Sequence, residues 1–340
     1  MSRHLVILFL VLLPVSLSAQ SYRAAFWNVE NFFDTLNDSL ANDDAFTPGG
    51  ANHWTQKRFQ LKCNNIYKTI VALDAPMVVG LAEVENSYVL SQLCHATPLR
   101  KLDYGFVHFD SPDPRGIDCA LLYRRQLFQP FFSSRIDVSD SASLWHSRDL
   151  LLVGGVTSTD DSLFFIVCHL PSKLGGAIAD RHRVRIVSII RSLVDSLASA
   201  HPCVPVAVMG DFNADPREPL FCSAFGFPDA PESEAYSAES LPVNPEGLVG
   251  LMYAFAEGEG SCCYADRWSF FDQFLIRLPH CSPFLLPSAS LFRPDFLLVS
   301  SPKTHSYRTF RTYRGPVYLG GFSDHLPVYI DLVYDHSVRP

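Results

Sequence analysis

Eight polar residues sit at or beside the ends of apolar runs, where a strand gives way to a loop and side chains can face a cleft. Asn28 closes Ala-Ala-Phe-Trp-Asn, Glu83 closes Val-Val-Gly-Leu-Ala-Glu, and His169 closes Phe-Phe-Ile-Val-Cys-His. Asp211 and Asn213 follow Val-Ala-Val-Met-Gly, Asp272 lies early in Phe-Phe-Asp-Gln-Phe-Leu-Ile, and Asp324 and His325 precede the last apolar run. Carboxylates without paired thiolates suit a hard divalent cation such as Mg²⁺, with Mn²⁺ or Ca²⁺ as substitutes, because such ions take oxygen ligands and keep several waters. Neutral amides can donate to phosphate oxygens, and a histidine beside an aspartate can stabilise developing negative charge. Together these residue types describe metal-assisted hydrolysis of a phosphate ester. Two further candidates stand near them. Glu85, two residues past Glu83, is on the same side if the strand continues and is a candidate second metal ligand. Arg115 precedes a strand and is a candidate phosphate clamp.

The elements that must position these groups are mostly strands. Content of β-branched and aromatic residues, with flanking turn residues, predicts strands at Ala24–Val29, Met77–Ala82, Ile117–Tyr123, Leu150–Ser158, Leu163–His169, Val204–Met209, Phe270–Ile276 and Pro327–Val333. Two helices are expected. Trp54–Ala72 carries Phe59, Cys63, Ile66 and Ile70 at helical spacing, and Ala179–Ala200 carries Ile186, Ile190, Leu193 and Leu197 on one face. Arg181, Arg183 and Arg185 read as a solvated face of the second helix. Pro228–Gly250, rich in Pro, Glu and Ser, reads as a surface excursion. Many strands with few helices indicate a β-rich α/β layered fold, and no repeat or low-complexity linker divides the chain.

Residues 1–19 have the layout of a secretory signal. Arg3 and His4 are followed by the apolar run Leu5–Leu13 and by small residues ending at Ala19, where cleavage is expected. The run is shorter than the roughly 20 apolar residues of a spanning helix. Residues 20–340 are then expected to form one exported domain, periplasmic or extracellular, without a transmembrane segment or an obligate protein partner. The nine cysteines leave at least one thiol unpaired, and no two have the close spacing of a zinc site. Cys119 and Cys168 sit in apolar runs as small hydrophobes, and no disulfide framework is expected. Of 340 residues, 48% are hydrophobic, which excludes a disordered or coiled-coil chain. A net charge of −8 leaves no general basic field for a polyanion, so any nucleic-acid contact must be local.

Six segments in order, WNVEN at 27–31, LAEVEN at 81–86, CHLPS at 168–172, GDFNADP at 210–216, FDQFLI at 271–276 and SDHLP at 323–327, resemble the endonuclease/exonuclease/phosphatase superfamily. HWTQKRFQLK at 53–62, RGIDCALLYR at 115–124 and FRTYRGPVYLGGFSDHLP at 310–327 are similar to its secreted Bacteroidetes-type members. The resemblance implies a four-layer α/β sandwich, two packed, mostly antiparallel sheets flanked by helices, as in deoxyribonuclease I. It also implies roles. Glu83 would bind metal with Asn28 beside it and Asp324 helping; Ala82 replaces the family's usual Gln. Asp211 would orient or deprotonate the attacking water and Asn213 would contact the scissile phosphate. Asp272 would orient His325, and His169 matches the second histidine of the branch that includes deoxyribonuclease I and the bacterial sphingomyelinases. The expected activity is a secreted, metal-dependent phosphodiester hydrolase, foremost an endonuclease on nucleic acid. The alternatives are a phosphodiesterase or phosphatase acting on lipid headgroups, inositol phosphates or small nucleotides, and a non-catalytic binding module with the same fold.

Overall fold

The apolar runs pair into two six-stranded sheets packed face to face. The computed structural model describes residues 21–334 apart from 141–142, 229–235, 238–239, 257, 265 and 301–305. The first sheet contains β1 (Ser21–Phe32), β2 (Val78–Val84), β3 (Tyr104–His108), β4 (Asp118–Arg124), β13 (Ala289–Leu291) and β18 (Val328–Val333), in the order β13-β18-β1-β2-β4-β3. The second contains β5 (Phe128–Ile136), β6 (Leu150–Thr157), β7 (Ser162–His169), β8 (Val206–Asp211), β9 (Leu248–Gly250) and β12 (Asp272–Arg277), in the order β5-β6-β7-β8-β12-β9. Three two-stranded hairpins complete the strands: β10 (Cys262–Tyr264) with β11 (Arg267–Ser269), β14 (Leu298–Ser300) with β15 (Tyr307–Thr309), and β16 (Tyr313–Arg314) with β17 (Val317–Tyr318).

Each sheet is antiparallel except at one central pair, β1 beside β2 and β7 beside β8. Alternate residues of β1 show why the strands read as unbroken apolar runs. Phe26 points into the core between the sheets, with Phe165, Met209 and Phe274, whereas Trp27 packs the other way, with Phe59 and Ile66 of helix α1 (Gln56–Ala72). A strand buried on both faces has no polar side to alternate with. The outer face of the second sheet is covered by α3 (Gly176–Ala200) through Ile186, Val187, Ile190 and Val194. A short helix, α2 (Ser87–Ser91), is capped by Asn86. The layers are therefore helix, sheet, sheet, helix, as expected.

Several expectations are corrected. Cys203 and Cys281 form a disulfide with Cα atoms 5.4 Å apart, within the ordinary range. The antiparallel ladder places Val206 opposite Arg277, so residues 78 apart in sequence meet at one end of the β8–β12 pair. The tail of the Pro228–Gly250 segment is no excursion: Leu248 is buried and Leu248–Gly250 is an edge strand. Arg183 is buried, donating to Pro171 O at 2.8 Å, rather than solvated. β3 and β5 lay outside the predicted strands. The segment read as a signal falls outside the described residues. Among the described residues, no helix is long and apolar enough to cross a membrane.

Cross-linking residues 78 apart should raise stability by about 2–4 kcal/mol through the unfolded chain. Reduction, or Cys203→Ser with Cys281→Ser, should lower the denaturant midpoint accordingly; equal midpoints for oxidised and reduced protein would contradict the link.

Candidate active site

The two parallel pairs bring the carboxyl ends of neighbouring strands together, and the site stands there. In the first sheet the β1–β2 register runs from Ala24↔Val78 to Asn28↔Ala82 and then slips, resuming at Phe32↔Val84. Within the slip, Glu30, Asn31 and Glu83 take left-handed backbone conformations, φ 54°, 54° and 63°, which cost energy for residues with a Cβ and concentrate at functional sites. In the second sheet His169 lies directly beside Asp211 across β7–β8, and Asp272 lies opposite Asp211 across β8–β12. Gly210 permits that approach, because a Cβ there would lie 2.2 Å from Cys168 O.

Asp211 is the meeting point. Its Oδ2 accepts a hydrogen bond from Asn28 Nδ2 at 3.0 Å, across the two sheets. His169 Nε2 stands 3.6 Å and His325 Nε2 3.7 Å from the same oxygen. The other Asp211 oxygen accepts from Asn213 N at 2.9 Å, in a tight turn in which Asn213 has φ 47°. His325 is fixed from its far side: Nδ1 is 2.7 Å from Asp272 Oδ2, and its backbone N–H donates to Ser323 Oγ. Trp27 Nε1 donates to His325 O and Ser323 Oγ to Asn28 O, tying the loop before β18 to β1. All four ionisable groups are buried. Burial raises the Asp211 carboxyl to about 7 despite the neighbouring His325. Burial alone would lower His325, but Asp272, with Cys262 and Asp211, outweighs it and holds the imidazole well above its ordinary value. His169 gains no such net compensation; burial, then Arg148, Arg115 and His325, push it well below its ordinary value, so it is neutral. The centre thus pairs one charged and one neutral histidine around one carboxylate.

These groups open on a pocket of about 920 Å³ whose lining also includes Glu83, Arg115 and Asp324. Glu83 and Asp324 are the metal-type donors that face open space. Each already attracts a guanidinium: Arg115 Nη2 is 3.6 Å from Glu83 Oε2, and Arg311 Nη2 donates to Asp324 Oδ2 at 2.8 Å. Carboxylates that are largely buried yet open to the pocket suit a hard cation that retains waters, and the two guanidiniums are the groups it would displace. The closely grouped atoms of Asp211, Asp272 and His325 fit a cation less well, because the charged imidazole already stands between the two acids, hydrogen-bonded to Asp272 and 3.7 Å from Asp211. Asn28, expected beside the metal, has its amide engaged on both sides, Nδ2 to Asp211 and Oδ1 to Glu30 N. Glu85 is not brought to the pocket. Its Oε2 accepts from Asp34 N on the other side of the strand end, and burial raises it to about 8. The turn at Glu83 breaks the alternation on which that expectation rested.

Two residues that the sequence did not single out support the metal side. Glu30 is buried, accepts from Thr312 N at 2.6 Å and Tyr313 N, and lies 3.4 Å from Arg311 Nε. Lys62, on the inward face of α1, donates to Thr312 Oγ1 at 2.6 Å and Phe322 O at 2.7 Å. Burial raises Glu30 and lowers Lys62. The signals were a glutamate within WNVEN and a lysine at an apolar helical position. Arg148, also missed, bonds Asp113 at 2.9 Å and the carbonyls of His169 and Leu170, closing the end of β7.

The chain belongs to the endonuclease/exonuclease/phosphatase family, whose model matches residues 23–334. It is similar in fold to an endonuclease/exonuclease/phosphatase family protein of Bacteroides thetaiotaomicron, with TM-score 0.58 and 16% identity over 94% of this chain and 100% of that one. It is also similar to a mannosyl-6-phosphatase of the same organism, with TM-score 0.57 and 16% identity over 92% and 100%. TDP2 of D. rerio, complexed with a single-strand DNA product, gives TM-score 0.56 and 17% identity over 92% and 98%. No curated protein matches by sequence. Membership in the family makes the chain a phosphoesterase by class, the solved structures show the shared fold, and the substrate is left to the site.

If Asp272 holds the charge on His325, the His325 ring should titrate well above the ordinary histidine value in the wild type. In Asp272→Asn it should fall markedly, because Asp211 and Cys262 are then left to oppose burial without the hydrogen-bonded carboxylate. Ring-proton NMR resolved against His325→Ala measures both; an unshifted titration in the variant would refute the pairing.

Proposed function

We propose that the chain is an exported, divalent-metal-dependent hydrolase of phosphate esters. The observation that carries the reading is the convergence, in one pocket, of Asp211 with Asn28, both histidines and the open carboxylates Glu83 and Asp324. A bound Mg²⁺ would supply charge neutralisation at the phosphate, held by Glu83 and Asp324. Asp211, raised to about 7 and anchored by Asn28, is suited to accept the proton of an attacking water near neutral pH. Water oxygen bonds to phosphorus as the ester P–O bond breaks. The charged His325 donates toward the oxygens that gain charge, and its proton can pass to the departing alkoxide. Neutral His169 and the Asn213 amide complete the set of donors. Export is supported by the N-terminal segment and by the Cys203–Cys281 disulfide, a bond favoured in oxidising compartments.

Of the two substrate readings, a compact ester has the specific support. Every arginine and lysine lining the pocket is matched by a carboxylate: Arg115 by Glu83, Arg148 by Asp113, Lys173 by Glu218 and Arg311 by Asp324. A cation at Glu83 and Asp324 would free Arg115 and Arg311 beside the phosphate, but among the described lining residues these two guanidiniums serve one phosphate rather than forming the basic rim that tracks a nucleic-acid backbone.

Purified protein assayed with Mg²⁺ or EDTA should hydrolyse small phosphate mono- or diesters only with metal. Asp211→Asn and His325→Ala should each reduce turnover by about 100-fold or more while remaining folded. Metal-independent hydrolysis, or near-native turnover in either variant, would overturn the assignment; metal-dependent nicking of supercoiled DNA in preference to small esters would restore the nuclease reading.

A further inference from the structure

The catalytic pocket is far larger than a phosphate needs, and its mouth is apolar. Leu174 is 95%, Leu144 80% and Tyr264 76% exposed, and all three line the pocket. They are three of the four most exposed large hydrophobic side chains among the described residues, the fourth being Leu40. Single exposed leucines are ordinary, but a cluster around one cavity marks a binding surface.

The three come from separate loops. Leu144 precedes Trp145 in a turn closed by hydrogen bonds between Asp140 and Trp145, and it takes φ 54°, a conformation unfavourable for leucine. Leu174 lies in the single turn Lys173–Gly175, capped by Ser172. Tyr264 is at the tip of the β10–β11 hairpin. Two aromatic walls continue inward from them. Trp145 is pinned by stacking on His182, centroids 3.8 Å apart, and Phe271 lies under Lys173 Nζ at 4.9 Å.

We infer that the substrate of this pocket is a phosphate ester bearing an alkyl or aryl group, the phosphate seated at Asp211 and the apolar group resting on Leu144, Leu174, Tyr264, Trp145 and Phe271. The inference rests on the phosphoesterase reading and narrows its substrate class. Since Arg148 and Lys173 stay matched by Asp113 and Glu218, and Arg115 and Arg311 would be freed only beside the cation and phosphate, the surface that the mouth offers to the rest of a substrate is chiefly hydrocarbon. A sugar or polyol on the phosphate would leave that surface in water, whereas an alkyl or aryl group removes it.

Two phosphodiesters without an aryl group, dimethyl phosphate and methyl octyl phosphate, followed by the alcohol released, provide the test with Mg²⁺-loaded wild type. The octyl ester should have a kcat/KM at least about tenfold higher, from burial of its methylenes. In Leu174→Ser/Tyr264→Ser the octyl-to-methyl ratio should fall to within about threefold of one, and Leu144→Asn, whose side chain tolerates positive φ, should lower it independently. A wild-type ratio near one, or a preference that survives the substitutions, would overturn the inference while leaving the phosphoesterase reading standing. Turnover of neither ester would overturn both. Cleavage of a long-chain ester in phosphatidylcholine vesicles would place the substrate in a bilayer, and cleavage of the monomeric ester alone would make it a soluble amphiphile.

Discussion

A carboxylate almost wholly withdrawn from water, reached only from the pocket, is the constraint around which the structure is arranged. Asp211 is buried at the junction of two sheets, where an isolated charge would cost several kcal/mol. It is made tolerable from both sides at once: Asn28 donates from the first sheet, while the β7 and β12 neighbours in the second supply His169 and the Asp272 that charges His325. The sheets therefore cannot slide relative to each other without leaving the carboxylate unmatched, so the packing register and the catalytic geometry are one requirement.

The same economy explains the backbone. Antiparallel strands alone would send successive chain ends to opposite edges, but one parallel pair in each sheet returns two strand ends to the same edge. The slip after Asn28 and the left-handed Glu83 then turn side chains out of the ladder toward the pocket. Strain of this kind persists only where surrounding contacts over-determine it. Here Asn31 N donates to Glu83 Oε2 at 2.8 Å, and the buried Glu30 ties the slip to Thr312 and Arg311. Lys62 anchors the far side of that segment through α1, so a helix remote from the chemistry holds the loop that carries Asp324.

Much of this was legible in the sequence. The apolar runs gave most central strands, because strands buried on both faces leave continuous hydrophobic stretches, and polar residues at their ends gave Asn28, Glu83, His169 and Asp211. What stayed hidden depends on three-dimensional pairing. The Cys203–Cys281 bond needs the β8–β12 register. Lys62 and Glu30 appear as an ordinary helix lysine and a loop acid until Thr312 lies between them. Glu85 was misplaced because period-two alternation assumes a regular strand, and the strand is broken one turn earlier at Glu83. β5 was unreadable because much of its surface is exposed and its sequence, FQPFFSSRI, carries a proline and two serines.

A cation is expected at Glu83 and Asp324, apart from Asp211 and the hydrogen-bonded His325–Asp272 pair. A crystal structure with Mn²⁺ and phosphate, read from the anomalous signal, addresses that placement most directly. The predicted result is a Mn²⁺ peak bound by Glu83 and Asp324, with phosphate oxygens at His169, Asn213 and His325. A peak among Asp211, Asp272 and His325, with Glu83 still paired to Arg115, would contradict it.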